Sequence, residues 1–301
     1  MKRRIVQHGS SSLTITLPIK WATKYDLKKG DELELEMSGP ILMVSTTKEI
    51  ASPKKEVSVS DSGIFTKNNL SHLYQLGYDE IVIRYEDPST LEEIKRRIVG
   101  CMGYEIIDQK ENRVYIKSIA TTIETEFDTL LRKSFQITNE MARSVLEALE
   151  KQEFEKLKEI RNMESLNNKF TDICLRILNK KGYKVPKRTM QIYEIVKNIE
   201  RIADEFKYIC NTFESYNKKI SKEVLLAFKE SIDYYLAFYE MFYKFDPKLK
   251  KKLYLGRKGL VKKYSTALEK SKGTEAMFYH HLINIVQKTY DGAGGYFALV
   301  L

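Results

Sequence analysis

Cysteine is scarce in this chain, and histidine nearly so. The three cysteines (Cys101, Cys174 and Cys210) are odd in number and widely spaced. That argues against a disulfide framework and against a thiolate zinc site, and favours buried free thiols. The four histidines (His8, His72, His280, His281) supply no i, i+4 pair of the kind a helix uses to hold a metal. No apolar run reaches the roughly 18 residues that a membrane-spanning helix needs, so no membrane insertion is expected. Met-Lys-Arg-Arg leads straight into a strand pattern, without the apolar core and cleavage site of a signal peptide. The expected location is therefore the cytoplasm. No Gly-rich loop follows a strand, no carboxylate pair stands beside a histidine base, and no nucleophile motif is present. The sequence does not read as an enzyme.

What is present is a chain of 301 residues, 43% apolar and 31% charged. That composition suits folded, soluble domains, and the length suits two or three of them. The formal net charge is +10, and it is unevenly spread. Residues 1–29 hold seven bases against Asp26, and residues 244–272 hold eleven against Asp246 and Glu269, so the remainder is slightly acidic. Two basic patches favour polyanionic partners, nucleic acid first. For the second patch three readings fit: a longer DNA footprint, an acidic partner, or solvated surface charge.

The pattern along the chain changes period twice. Arg3 to His8 and Leu13 to Leu17 read as two short strands around Gly9 and three serines. Pro18 opens a short helix, Ile19 to Leu27, and Lys28-Lys29-Gly30-Asp31 turns the chain. Asp31 to Met37 alternates leucine with glutamate, Ser38-Gly39-Pro40 turns, and Ile41 to Thr46 is a last strand. This ββαββ unit buries too little apolar surface to be comfortable alone, so dimerisation is expected. Ala51 to Lys55 reads as a linker. A second α+β segment follows, with a helix from Phe65 to Leu76, a strand from Asp79 to Tyr85, a helix from Thr90 to Gly100 capped by Ser89 or Thr90, and a hairpin of Tyr104–Asp108 with Arg113–Ser118. Beyond 121 the period is helical. Phe127, Leu131, Phe135, Met141, Val145 and Leu149 mark one buried face. Further helices are expected at about 153–180, 187–213, 221–245, 247–270 and 273–299. Three helices followed by three suggest a duplicated unit.

Gly9-Ser-Ser-Ser-Leu-Thr-Ile-Thr-Leu-Pro18, Trp21-Ala22 and Leu27-Lys-Lys-Gly-Asp31 together resemble the AbrB/SpoVT swapped-hairpin family over residues 3 to 47. The resemblance implies two chains interlaced into one small barrel that presents basic loops to DNA. Arg3, Arg4, Lys20 and Lys24 are then the candidate DNA contacts, since cations on phosphates release counterions. Ser10, Ser11 and Ser12 are candidate donors to phosphate oxygens. A head that only dimerises, with ordinary surface charge, is the alternative.

In the third long helix, Asn198-Ile-Glu200-Arg201-Ile-Ala-Asp204 puts two carboxylates four apart on one face. Such a pair needs a cation, and either a metal ion or Arg201 can supply it. The run resembles the Glu-Arg-Ile-Gly-Asp signature of PhoU proteins, with Ala203 in place of glycine. That resemblance, over about 121–301, implies two three-helix repeats and, for the helical body, a divalent or iron-type metal ion. Glu164 and Asn168 stand where the first partner motif falls, and Gln287 and Asp291 where the second repeat's does. Each has lost one carboxylate, which weakens a hard-cation site. Inter-helix salt bridges are the other reading of these acids. The middle segment, Leu76-Gly-Tyr-Asp79 through Gly100-Cys-Met-Gly103-Tyr-Glu105, resembles the connector of archaeal PhoU-like proteins with an AbrB-type head.

The fold class expected is α+β: a swapped-hairpin β-barrel head over 1–50, a small α+β connector over 56–120, and a PhoU-like all-α body over 121–301, with repeats at about 121–215 and 220–301. The family implies a homodimer or higher even oligomer, DNA as partner, and transporter components of phosphate uptake as docking partners.

Overall fold

The structure, a computed structural model, describes residues 2–38, 40–46, 54–59, 67–120, 126–214, 216 and 218–300. The expected linker at Ala51 to Pro53, Gly39 of the turn and the helix start at Phe65 lie outside the described residues. The chain divides into two compact units, residues 1–54 and 55–301.

The first unit holds two hairpins around one short helix. β1 (Val6–His8) pairs antiparallel with β2 (Ser12–Thr14), and β3 (Leu33–Ser38) with β4 (Ile41–Thr46). Between them lies α1 (Ile19–Lys24), entered from extended Pro18 and stabilised by an edge-on Trp21–Tyr25 contact at 5.5 Å. Each hairpin is its own two-stranded sheet in the single chain. No described side chain between residues 2 and 46 is buried. Leu13, Ile19 and Met37 are 71%, 75% and 88% exposed.

The second unit opens with a four-stranded sheet of order β5-β6-β8-β7. Its strands are β5 (Lys54–Ser58), β6 (Glu80–Arg84), β7 (Tyr104–Lys110) and β8 (Arg113–Ser118), the last antiparallel to both β6 and β7. β5 was not expected. Its lysines and glutamate hide the strand pattern, and Glu56 is held by Arg84 across the sheet. Helices α2 (Lys67–Gln75) and α3 (Ser89–Ile98) complete this layer. The N-cap of α3 is Pro88 rather than Ser89 or Thr90, and the Asp87 carboxylate just before it accepts from the Ser89 N–H at 2.9 Å. Asp reaches back to a first-turn amide better than a serine already inside the helix.

Six long helices form the rest: α4 (Phe127–Lys151), α6 (Met163–Lys181), α7 (Thr189–Phe213), α8 (Lys222–Tyr243), α9 (Pro247–Lys270) and α10 (Thr274–Val300). The second expected helix is broken. A 3-10 turn at Phe154–Lys156 and a one-turn helix α5 (Leu157–Arg161) precede α6. This turn sinks Leu157 to full burial, and α5 packs on α7. The core is aromatic. Phe135 of α4 meets Phe238, Tyr239, Phe242 and Tyr243 of α8 at 5.2–5.8 Å, and Phe278 of α10 meets Phe213 and Phe228 at 5.3 and 5.5 Å. Such geometry adds to plain area burial. α10 lies close on α7 because Gly295 has no side chain: a Cβ there would come within 3.2 Å of the Gln191 carbonyl and of Ile195. All three cysteines are free and buried, and burial pushes the Cys101 and Cys210 thiols up to about 12. They are inert core groups.

Candidate functional site

Two places gather functional side chains, one in each unit. In the head, Arg3 and Arg4 lie in the segment before β1, while Ser10 and Ser11 lie in the turn at the other end of the same short ladder and Ser12 opens β2 opposite His8. Lys20 and Lys24 share one face of α1, four residues apart. All seven are exposed. The Lys24 ammonium rests 5.2 Å over the Tyr25 ring, which leaves its charge free for solvent or ligand.

In the second unit, a polar cleft of about 770 Å³ opens between α2 and α3 on one side and α6 and α7 on the other. It brings together Glu164, Glu200 and Asp204, three of the four expected acids. Asp291 is not in it; that residue is exposed on α10, beside Tyr234 and Arg257. The cleft also contains cations that sequence reading did not single out. Lys207 bridges Glu164, at 2.8 Å, and Asp204, and Lys197 pairs with Glu200. Asn168 donates to Glu164 at 2.7 Å. Arg201 is not the compensating cation: it is half exposed and stands 3.8 Å from Glu194. The signal was available, because Lys197 and Lys207 sit three residues before Glu200 and three after Asp204, on the same helix face.

These contacts set the protonation of the cleft. Burial raises the Glu164 carboxyl, but the hydrogen bond and charge of Lys207 outweigh it and hold Glu164 below its ordinary value. Asp204, sharing that ammonium with Glu164, is raised by burial. Lys207 is itself raised, because its two carboxylate partners outweigh its own burial. Each motif carboxylate thus already holds an ammonium of the chain. Among the described residues no group of three or more His, Cys, Asp or Glu side chains is arranged to hold a metal. The donor set, as it stands, fits lysines rather than a metal ion.

At the inner wall, Asp172 is almost fully buried. It accepts from Arg97 Nη2 and Gln75 Nε2, both at 2.7 Å. Burial pushes its carboxyl up to about 6, with the Arg97 charge opposing the rise. This pair ties α2 and α3 to α6. A second tie lies deeper. Arg176, 1% exposed, donates to the carbonyls of Tyr74 and Tyr78 at 3.0 and 2.8 Å, pairs with Asp79, and lies over the Tyr74 and Tyr104 rings. Lys180 adds a 2.9 Å contact to Asp79. Sequence reading missed Arg176, since an arginine between Leu175 and Ile177 looks like a solvent-facing residue. Across the bundle, buried Glu205 of α7 is met by His281, at 2.7 Å, and Lys288 of α10.

The basic helix α9 exposes Lys248, Lys251, Lys252, Lys258 and Lys262. Lys263 is spent on Glu230 at 2.7 Å, and Arg257 stacks on Tyr290 at 4.8 Å. No helix among the described residues is long and apolar enough to cross a membrane.

Comparison with known proteins agrees with this division. The PhoU domain model matches residues 131–213, which include the whole acid–lysine motif of α6 and α7. The model described as antidote-toxin recognition MazE, bacterial antitoxin, matches residues 6–50. No curated protein and no solved structure matches the chain at a significant level. A PhoU domain points to regulation of phosphate homeostasis, and a MazE/AbrB-type domain to DNA binding or dimerisation. The chain thus carries a MazE-type match in its head and a PhoU-domain match over residues 131–213 of its helical body.

Proposed function

We propose that the protein is a DNA-binding transcriptional regulator of phosphate uptake and phosphate homeostasis. The observation that carries this reading is the head, in which no described apolar side chain is buried, Leu13, Ile15, Ile19 and Leu35 are exposed, and all seven candidate contacts are exposed. Two copies exchange or stack their hairpins, burying Leu13, Ile15, Ile19 and Leu35, and the joined surface offers Arg3, Arg4, Lys20 and Lys24 to phosphates from both protomers. Ser10, Ser11 and Ser12 add hydrogen bonds to the same phosphates. The PhoU-type body reports the state of the phosphate system, through transporter components docked on it, and shifts the affinity of the head. No reaction is proposed, since both matched families are regulatory. No step passes through a metal either. Elemental analysis of protein purified without chelator is expected to find no stoichiometric ion, and one ion per chain lost in a Glu164→Gln, Asp204→Asn variant would contradict this.

The test is binding to the promoters of the organism's own phosphate-transport genes, against unrelated DNA, across a salt series. Preference for those promoters, with affinity falling steeply as salt rises, is the expected result. Equal, feeble binding to both, from a stable dimer, would leave the head as a dimerisation module and the body as a partner-docking protein. The exposed apolar residues of the head favour that second reading as strongly as the first; its exposed bases do not.

A further inference from the structure

A second cavity, of about 510 Å³, lies at one end of the helical body, away from the acid–lysine cleft and sharing none of its residues. It is formed by the first turns of α4 and α7, the segment between α6 and α7, and the last turns of α8 and α10. Its volume falls in the range of small-molecule sites, which run from about 300 to 1,000 Å³. Two features define its chemistry.

The first is charge. Among the described residues Asp128 is the only carboxylate lining it, and Lys184 already takes that carboxylate at 3.0 Å. Arg132 and Arg188 also line the cavity, and neither has an acidic partner among the described residues. Elsewhere in this unit the partly or fully buried Arg97, Arg161 and Arg176 are matched with Asp172, Glu214 and Asp79. The α4 helix also opens here, and its N-cap residue Glu126 makes no capping hydrogen bond. Its first-turn amides and dipole add to the positive end of the cavity.

The second is the wall. Tyr183, Phe242, Tyr243 and Tyr296 line the cavity. The Arg132 guanidinium stacks 4.4 Å over the Tyr243 ring, which holds its planar fork in place for an anion. A pocket for free phosphate needs no such aromatic surface, and one for an apolar molecule needs no unpaired arginines.

We infer that this cavity binds a nucleoside phosphate, with the base against the tyrosine and phenylalanine wall and the phosphate on Arg132 and Arg188. The inference stands apart from DNA binding by the head.

Calorimetric titration of the full chain with AMP, ATP, adenosine and pyrophosphate tests it. AMP or ATP is expected to bind saturably, with adenosine and pyrophosphate each at least tenfold weaker. Arg132→Ala with Arg188→Ala is expected to weaken the nucleotide tenfold or more. Both side chains are exposed, so folding is not at stake, and near-ultraviolet dichroism checks it. Lys262→Ala on α9 and Arg3→Ala with Arg4→Ala in the head leave nucleotide binding unchanged. The inference is overturned if no nucleotide binds saturably, if pyrophosphate binds as tightly as AMP, if the double arginine variant binds normally, or if the control variants lose binding equally.

Discussion

The head and the body meet the problem of apolar surface in opposite ways. The body closes around its own aromatic residues, and Phe135, Phe206, Phe228, Phe238 and Phe278 have no exposed surface at all. The head buries none of its described side chains. A unit of that size supplies little burial by itself, and in the proposed function it takes the rest from a second copy. Charge divides the same way. In the body, acids and bases of the PhoU-type motif neutralise one another inside a cleft, whereas in the head Lys28 pairs with Asp26 in solvent and Arg3, Arg4, Lys20 and Lys24 are exposed. The body is completed by its own side chains, whereas in the proposed function the head is completed by a second copy and by DNA.

The largest expected effect comes from breaking the body at Arg176. Replacing it by methionine leaves the Tyr74 and Tyr78 carbonyls without their donor and Asp79 with Lys180 as its remaining cation, at a cost of about 3 kcal/mol. Denaturant unfolding of the full chain measures this; a loss too small to resolve would mean that Lys180 alone holds Asp79. Next is the pH response of the body. Asp172 titrates at 3.8 in the unfolded chain and about 6 when folded, so between those values the folded state binds more protons. Its contribution to stability is present at low pH and is lost as pH rises through about 6, by up to about 3 kcal/mol over the window. Asp172→Asn flattens the stability profile there; a variant with the parent's slope contradicts the assignment.

The head sharpens the contrast by its dependence on concentration. Leu13→Asp is expected to weaken dimerisation by roughly a hundredfold, the scale of burying an apolar side chain, with the unfolding midpoint of the body unchanged. Sedimentation equilibrium shows the first and calorimetry the second. A dimer that survives the change lies elsewhere than in the head. The smallest effect is that of a single phosphate contact: Lys24→Ala lowers the slope of log affinity against log salt by about 1.

Much of this was legible in sequence because periodicity reports burial. The buried face of α4, the extents of α8, α9 and α10, the ββαββ head and the β7–β8 hairpin follow from the sequence pattern. What escaped notice depends on pairing across long sequence distance. β5 carries Lys54, Lys55 and Glu56, and only its neighbour β6 makes it a strand. The break before α6 lacks proline or glycine. In the candidate site, the acid pair Glu200 and Asp204 announces itself by spacing, but its neutralisation depends on Glu164 being brought 43 residues back in sequence to Lys207. Arg97, Asp172 and Arg176 belong to two different segments, and no local pattern says that they meet. Lys207 and Lys197 were readable from their i±3 positions, had the acids been taken as one half of a charge pattern.

The central claim is that the exposed bases of the head hold DNA. The most direct measurement is the salt dependence of promoter binding by the full chain and by an Arg3→Glu, Arg4→Glu, Lys24→Glu variant whose dimer is verified by sedimentation. The account predicts a steep slope for the parent, and for the variant a shallow slope with affinity near that for unrelated DNA. Equal slopes and equal affinities from an intact dimer would contradict it.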